Sequence, residues 1–165
     1  MSWIAPAITL SAIAWLVLLV AAPILTVPVS GVLYAIGSLI CHQIAERSFY
    51  LDGFQLPVCA RCLGLYAGGA AGSLAAVFIG RAFTARQTPH RAAYTMTALA
   101  AVPTVITVAM EWGAGLPVSN VVRAAASLPL GSAVAFVVVR AVATLHYDEC
   151  TPRRPIGHGQ PPAST

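Results

Sequence analysis

Four apolar runs, at about residues 4–25, 57–80, 92–112 and 121–145, dominate this chain. A helix needs roughly 20 predominantly apolar residues to cross the hydrocarbon core of a bilayer, and each run supplies that length. Only 8% of the 165 residues are charged, against about a quarter in an ordinary soluble domain, and the mean hydropathy is +0.81. The fold class that follows is an all-α, polytopic integral membrane bundle with four transmembrane helices. The first run reads as an anchor rather than a signal peptide. No Lys or Arg precedes it, and a signal's apolar region is usually only about 7–15 residues.

A fifth apolar piece, residues 29–40, is set off by Pro23 and Pro28. It would be about 18 Å long as a helix rising 1.5 Å per residue, too short to span comfortably, so an interfacial or re-entrant helix is expected there. Residues 41–58 read as a polar outer loop carrying Glu46, Arg47 and Asp52, with Phe49, Tyr50 and Phe54 available to the headgroup region. Pro57 suits the first turn of the next helix because its missing N–H would be unpaired there anyway. That start puts Cys59 in the first turn, with Cys59 and Cys62 on one face. Further along, Gly64, Gly68, Gly72, Ala76 and Gly80 recur every four residues. Such a small-residue stripe lets another helix backbone approach closely, either inside the bundle or in a homodimer through Gly64, Gly68 and Gly72.

Arginine placement predicts the topology. Arg81, Arg86 and Arg91 cluster between the second and third spans, and Arg140, Arg153 and Arg154 lie at and beyond the inner end of the fourth. By the positive-inside rule both groups are cytoplasmic, which turns the Cys-x-x-Cys end of the bundle outward and leaves the C-terminus inside. All nine cationic residues are arginine, and with the Ala, Val and Gly richness this suggests a high-GC genome and a bacterial plasma membrane. There is no basic stripe interleaved with aromatics, so the expected surroundings are a lipid bilayer and not a nucleic acid. Residues 148–165, rich in Pro, Gly, Ser and Thr toward their end, read as a disordered cytoplasmic tail.

The chemistry concentrates on the outward face. Cys41, His42, Cys59 and Cys62 supply three thiols and an imidazole, with Gln43, Arg47, Arg61, Glu111 and Arg123 as supporting residues. Three chemistries fit. The four donors match a closed zinc site and would also suit copper(I), making transition-metal binding the leading expectation. Alternatively, Cys59 beside Arg61 at a helix N-terminus has the setting of a reactive thiolate, and Cys59, Cys62 and Cys41 could exchange disulfides with a quinone as electron partner. In architecture alone this resembles the bacterial quinone-linked disulfide-forming membrane proteins and the vitamin K epoxide reductase family. Those relay electrons through a second external cysteine pair, whereas here Cys41 is the single additional external thiol. The third possibility is a structural disulfide without catalysis, the common fate of cysteines outside the cytoplasm. Glu111 and Arg123, across a short turn, read as an ion pair that either braces the helices or lines the thiol site.

Cys41-His42-Gln43, Glu46-Arg47-Ser48-Phe49, Gly53, Pro57-Val58-Cys59-Ala60-Arg61-Cys62, Gly64, Tyr66 and Gly68 together resemble the signature of the prokaryotic membrane proteins grouped as domain of unknown function 2085. Glu111-Trp112, Asn120, Arg123 and Gly131 are similar to a second block of that family. The resemblance covers about residues 31–140. It implies a helical membrane architecture and one shared site, and it carries no activity.

Overall fold

Pro23 ends the first span. In the computed structural model, helix α1 covers Ile4–Ala21 and tightens into a 3-10 turn at Ala22–Ile24, where proline cannot donate the next helical hydrogen bond. The structure describes residues 3–82 and 90–150, apart from the side chains of 80–90 and 144–150. Pro28 then lies in the first turn of α2 (Val27–Ile40), two residues earlier than the expected start at 29.

Helix α2 begins and ends at the same end of the bundle. The turn before it contacts the segment around Pro57. Near its end, Gly37 lies so close to the Pro57 carbonyl that a Cβ there would sit 2.3 Å from the oxygen. Cys41, immediately after the helix, packs with Leu19 from the end of α1 and with Val58. With only 14 residues and both ends on one side, α2 lies against that end and does not cross. The spans are α1 with its terminal turn, α3 (Ala60–Ala82), α4 (His90–Trp112) and α5 (Asn120–Cys150). Pro103 and Pro129 fall inside α4 and α5 without ending them.

Residues 41–58 depart from the expected loop. They contain a 3-10 turn at Ala45–Arg47 and an antiparallel hairpin of β1 (Ser48–Leu51) and β2 (Phe54–Cys59). Asp52 and Gly53 form the two-residue turn with φ of 50° and 83°, the positive values that hairpin turns of this length require. Pro57 therefore belongs to β2 rather than to a helix. It sits where the register between Ser48 and Tyr50 is irregular, a place that tolerates a residue with no N–H to donate. Helix α3 starts three residues later than expected, at Ala60, so Cys59 closes the strand and Cys62 lies in the first helical turn.

The small-residue stripe of α3 faces α5. A Cβ at Gly64, Gly68 or Gly72 would lie 2.1–2.2 Å from the carbonyl of Ala124, Leu128 or Ser132 respectively. Both residue series ascend together, so the two helices run parallel. Gly131 meets Leu65 from the α5 side in the same way, and Ser132 Oγ donates to the Gly68 carbonyl at 3.0 Å. Of the two uses expected for the Gly64, Gly68 and Gly72 stripe, the structure shows the one inside the bundle. Of the basic connection, Arg86 lies outside the described residues. So do residues 151–165, while 148–150 belong to α5 and not to the expected tail.

Candidate functional site

Three chain segments deliver the thiols. Cys41 follows α2, Cys59 ends β2 and Cys62 occupies the first turn of α3. Their sulfur atoms all lie within 4.8 Å of one another, with Cys59 Sγ and Cys62 Sγ 3.5 Å apart. All three are free thiols, Cys41 buried and the others half-buried. The Cys59 backbone N–H donates to Cys41 Sγ at 3.1 Å. The Cys59 thiol, which lies outside the spans, is shifted toward its thiolate form. Hydrogen bonding from the Cys62 thiol, aided by the backbone N–H groups of Cys62 and Arg61 and by Cys41, brings its pKa down to about 5 against the opposing effect of burial.

His42 does not join them. Cys41 is extended (φ −148°, ψ 141°), and side chains of consecutive extended residues point to opposite faces, so turning Cys41 inward leaves the neighbouring imidazole exposed. The expected four-donor set Cys41, His42, Cys59 and Cys62 becomes a set of three among the described residues. Gln43 holds this turn from the left-handed region at φ 50°. Its Nε2 donates to the carbonyls of Tyr34 (2.9 Å) and Pro57 (2.8 Å), and its own carbonyl accepts from Gln55 Nε2 at 2.7 Å. Those bonds tie α2, the turn and the hairpin together and offset the cost of the backbone geometry.

At the same end of the bundle lies a charge cluster. Glu111, at the end of α4, pairs with Arg61 Nη2 at 2.9 Å through one oxygen and with Arg123 Nε through the other. Its side chain is only 4% exposed. Arg123 Nη1 also donates to Asn120 Oδ1, and Asn120 Nδ2 donates to the Ser48 carbonyl at 2.9 Å. Ser48 is the cross-strand partner of Cys59. The expected pair of Glu111 and Arg123 is therefore a triad that includes Arg61 and reaches the thiol-bearing hairpin through Asn120. Arg47 is half-buried and stands apart from the triad.

The two blocks that build this end of the molecule both fall inside one family match. Residues 41–137, more than half of the chain, match the family model described as predicted membrane protein (DUF2085). The chain belongs to this family. An uncharacterized protein of Methanocaldococcus jannaschii is 49% identical over 51 residues, covering 31% of this chain and 33% of that protein. An uncharacterized protein of Methanothermobacter thermautotrophicus is 33% identical over 96 residues, covering 58% of this chain and 81% of that one. This chain thus spans about a third of the first relative and most of the second. Both are archaeal, so they lend nothing to the expected bacterial origin. No solved structure matches.

In this DUF2085 protein the thiol site also uses residues outside the matched region. Leu19 is fully buried with Cys41 and Val58, and Trp15, Leu63 and Tyr66 pack against that cluster along with Cys59 and Cys62. The Trp15 and Tyr66 rings meet edge to face at 6.2 Å. Sequence reasoning missed this wall because an anchor helix with apolar residues all round gives no sign of which face is covered. It also missed the hairpin, although Asp52-Gly53 between two apolar-rich segments is the strongest short-range hairpin signal.

Proposed function

We propose that this DUF2085 protein binds a transition metal through the thiolates of Cys41, Cys59 and Cys62 at the extracytoplasmic end of its membrane bundle. The observation that carries this reading is the convergence of Cys41 with the Cys59 and Cys62 pair, from two stretches of chain, so that all three sulfurs lie within 4.8 Å of one another. Zn–S bonds of about 2.3 Å place tetrahedral thiolates about 3.8 Å apart, so a small contraction would complete the ligand set. The lowered pKa of Cys59 favours the deprotonated sulfur that a metal requires. Three thiolates leave a fourth position for water, for an incoming ligand, or for His42 after a local rotation. The outward placement rests on arginine in the sequence: α3 leads away from the thiols, the stretch around its connection to α4 carries Arg81, Arg86 and Arg91, and Arg153 and Arg154 follow α5, which runs parallel to α3.

One observation favours a second reading. Cys59 and Cys62 are 3.5 Å apart and the pKa of Cys59 is lowered, the arrangement of a dithiol that closes to a disulfide. Closure would release two electrons and two protons, which a membrane quinone could accept to become a quinol.

Protein purified in mild detergent and assayed together for metal content and free thiols separates the two. Metal binding predicts one equivalent of metal, its loss in Cys41→Ser and Cys59→Ser, and its retention in His42→Ala. No metal together with a Cys59–Cys62 disulfide that quinone regenerates would replace the first reading with the second. For sidedness, a membrane-impermeant thiol label on Arg86→Cys should fail to react from outside intact cells.

A further inference from the structure

The Arg61–Glu111–Arg123 cluster is not electrically balanced. One carboxylate stands between two guanidinium groups, and the three side chains are only 17%, 4% and 10% exposed, respectively. The other described carboxylates on this side, Glu46 and Asp52, are exposed and pair with neither arginine. Arg61 Nε is buried without a hydrogen-bond partner. The N-termini of α3 and α5, where the two arginines sit, add positive potential of their own. A surplus cation at the edge of a membrane bundle is costly unless an anion compensates it.

Two routes lead from this surplus to the sulfurs. Arg61 lies between Cys59 and Cys62 in the chain. Arg123 reaches Asn120, which holds the Ser48 carbonyl, and Ser48 faces Cys59 across the hairpin. We infer that the triad is the built-in counter-charge of the thiolate site and biases that site toward a divalent ion such as zinc relative to cuprous copper. This rests on the three-thiolate reading above. Three thiolates around a divalent cation carry a net charge of −1, which the surplus +1 cancels. Around Cu(I) they carry −2, and one negative charge stays unbalanced.

The test is the ratio of Cu(I) to Zn(II) affinity, measured by chelator competition under anaerobic conditions on detergent-purified protein. The unloaded state cancels in that ratio, leaving only the charge difference between the two loaded sites. At roughly 10 Å and an effective dielectric constant of about 20, one unit charge changes such a ratio about tenfold. Glu111→Gln, which raises the surplus to +2, should shift the ratio about tenfold toward Cu(I). Arg123→Gln, which removes the surplus, should shift it about tenfold toward Zn(II), and Arg123→Lys should leave it near the unsubstituted value. Should Arg123→Gln fail to fold, Arg61→Gln removes the same charge. General damage to the site moves both neutral variants in one direction, so shifts of the same sign, or no shift, overturn the inference while leaving metal binding intact. An unsubstituted protein that binds neither ion overturns the metal reading itself.

Discussion

Helices α3 and α4 are equally suited to a bilayer by length and composition, yet they are held in different ways. A third of the α3 span is buried inside the protein, against 6% for α4. Helix α3 docks by steric fit, its glycines admitting the α5 backbone where lipid is no worse a solvent than leucine and only close approach gains dispersion energy. Helix α4 docks by polar contacts. Glu111 engages Arg61 and Arg123, and Thr104 Oγ1 donates to the Ala126 carbonyl at 2.9 Å. The contrast teaches that hydropathy assigns helices to the membrane without saying what keeps them together. A few polar groups can help secure a helix that has hardly any fully buried residues.

The largest effect should therefore come from the sparsely buried helix. Glu111→Ala leaves two guanidinium groups facing each other without their carboxylate, and breaking a buried ion network this way costs about 3–5 kcal/mol. Denaturant titration in detergent micelles would show it. An unchanged midpoint would mean that α4 is secured by something other than this triad.

Next is Gly68→Ala, which forces a methyl group to 2.2 Å from the Leu128 carbonyl, so the α5 backbone must move. Overpacking of this kind costs about 1–3 kcal/mol. Thr104→Val removes one interhelical hydrogen bond and should cost about 0.6 kcal/mol, the average for such bonds in a membrane protein. The smallest change, and of opposite sign, is expected one position from Gly68. A Cβ at Gly69 would meet nothing within 4 Å, so Gly69→Ala should be neutral or stabilising by up to about 1 kcal/mol through helix propensity. If Gly68→Ala and Gly69→Ala behave alike, steric fit is not what docks α3 on α5.

Much of the architecture was legible in the chain. Spanning length, the prolines at 23 and 28 and the four-residue glycine repeat are properties of single segments, and they survive folding. The placement of Gln43, Arg61, Glu111 and Arg123 at the cysteine end was also legible in outline, because topology alone brings α3, α4 and α5 termini to one end. The hairpin was hidden by Pro57, whose fitness for a helical first turn competed with the Asp52-Gly53 turn signal. Once the turn closed, Pro57 was drawn into β2 and Cys59 out of the helix. Asn120 appeared only as part of a motif, since its bond to the Ser48 carbonyl joins positions 72 residues apart.

The sequence by itself determined that this chain is a membrane bundle with three cysteines and a charged cluster brought toward one end. Hydropathy and charge act over a window or an entire loop, so they can be summed along the chain without knowing its path. Direction and partnership were decided only by the tertiary structure. Cys41 turns inward while adjacent His42 is exposed, the glycine stripe meets α5 within the chain, Trp15 and Leu19 wall the thiols, and one carboxylate is shared by two arginines. Each of these is a contact between specific faces, and a face exists only after the backbone has chosen its dihedrals and its neighbours.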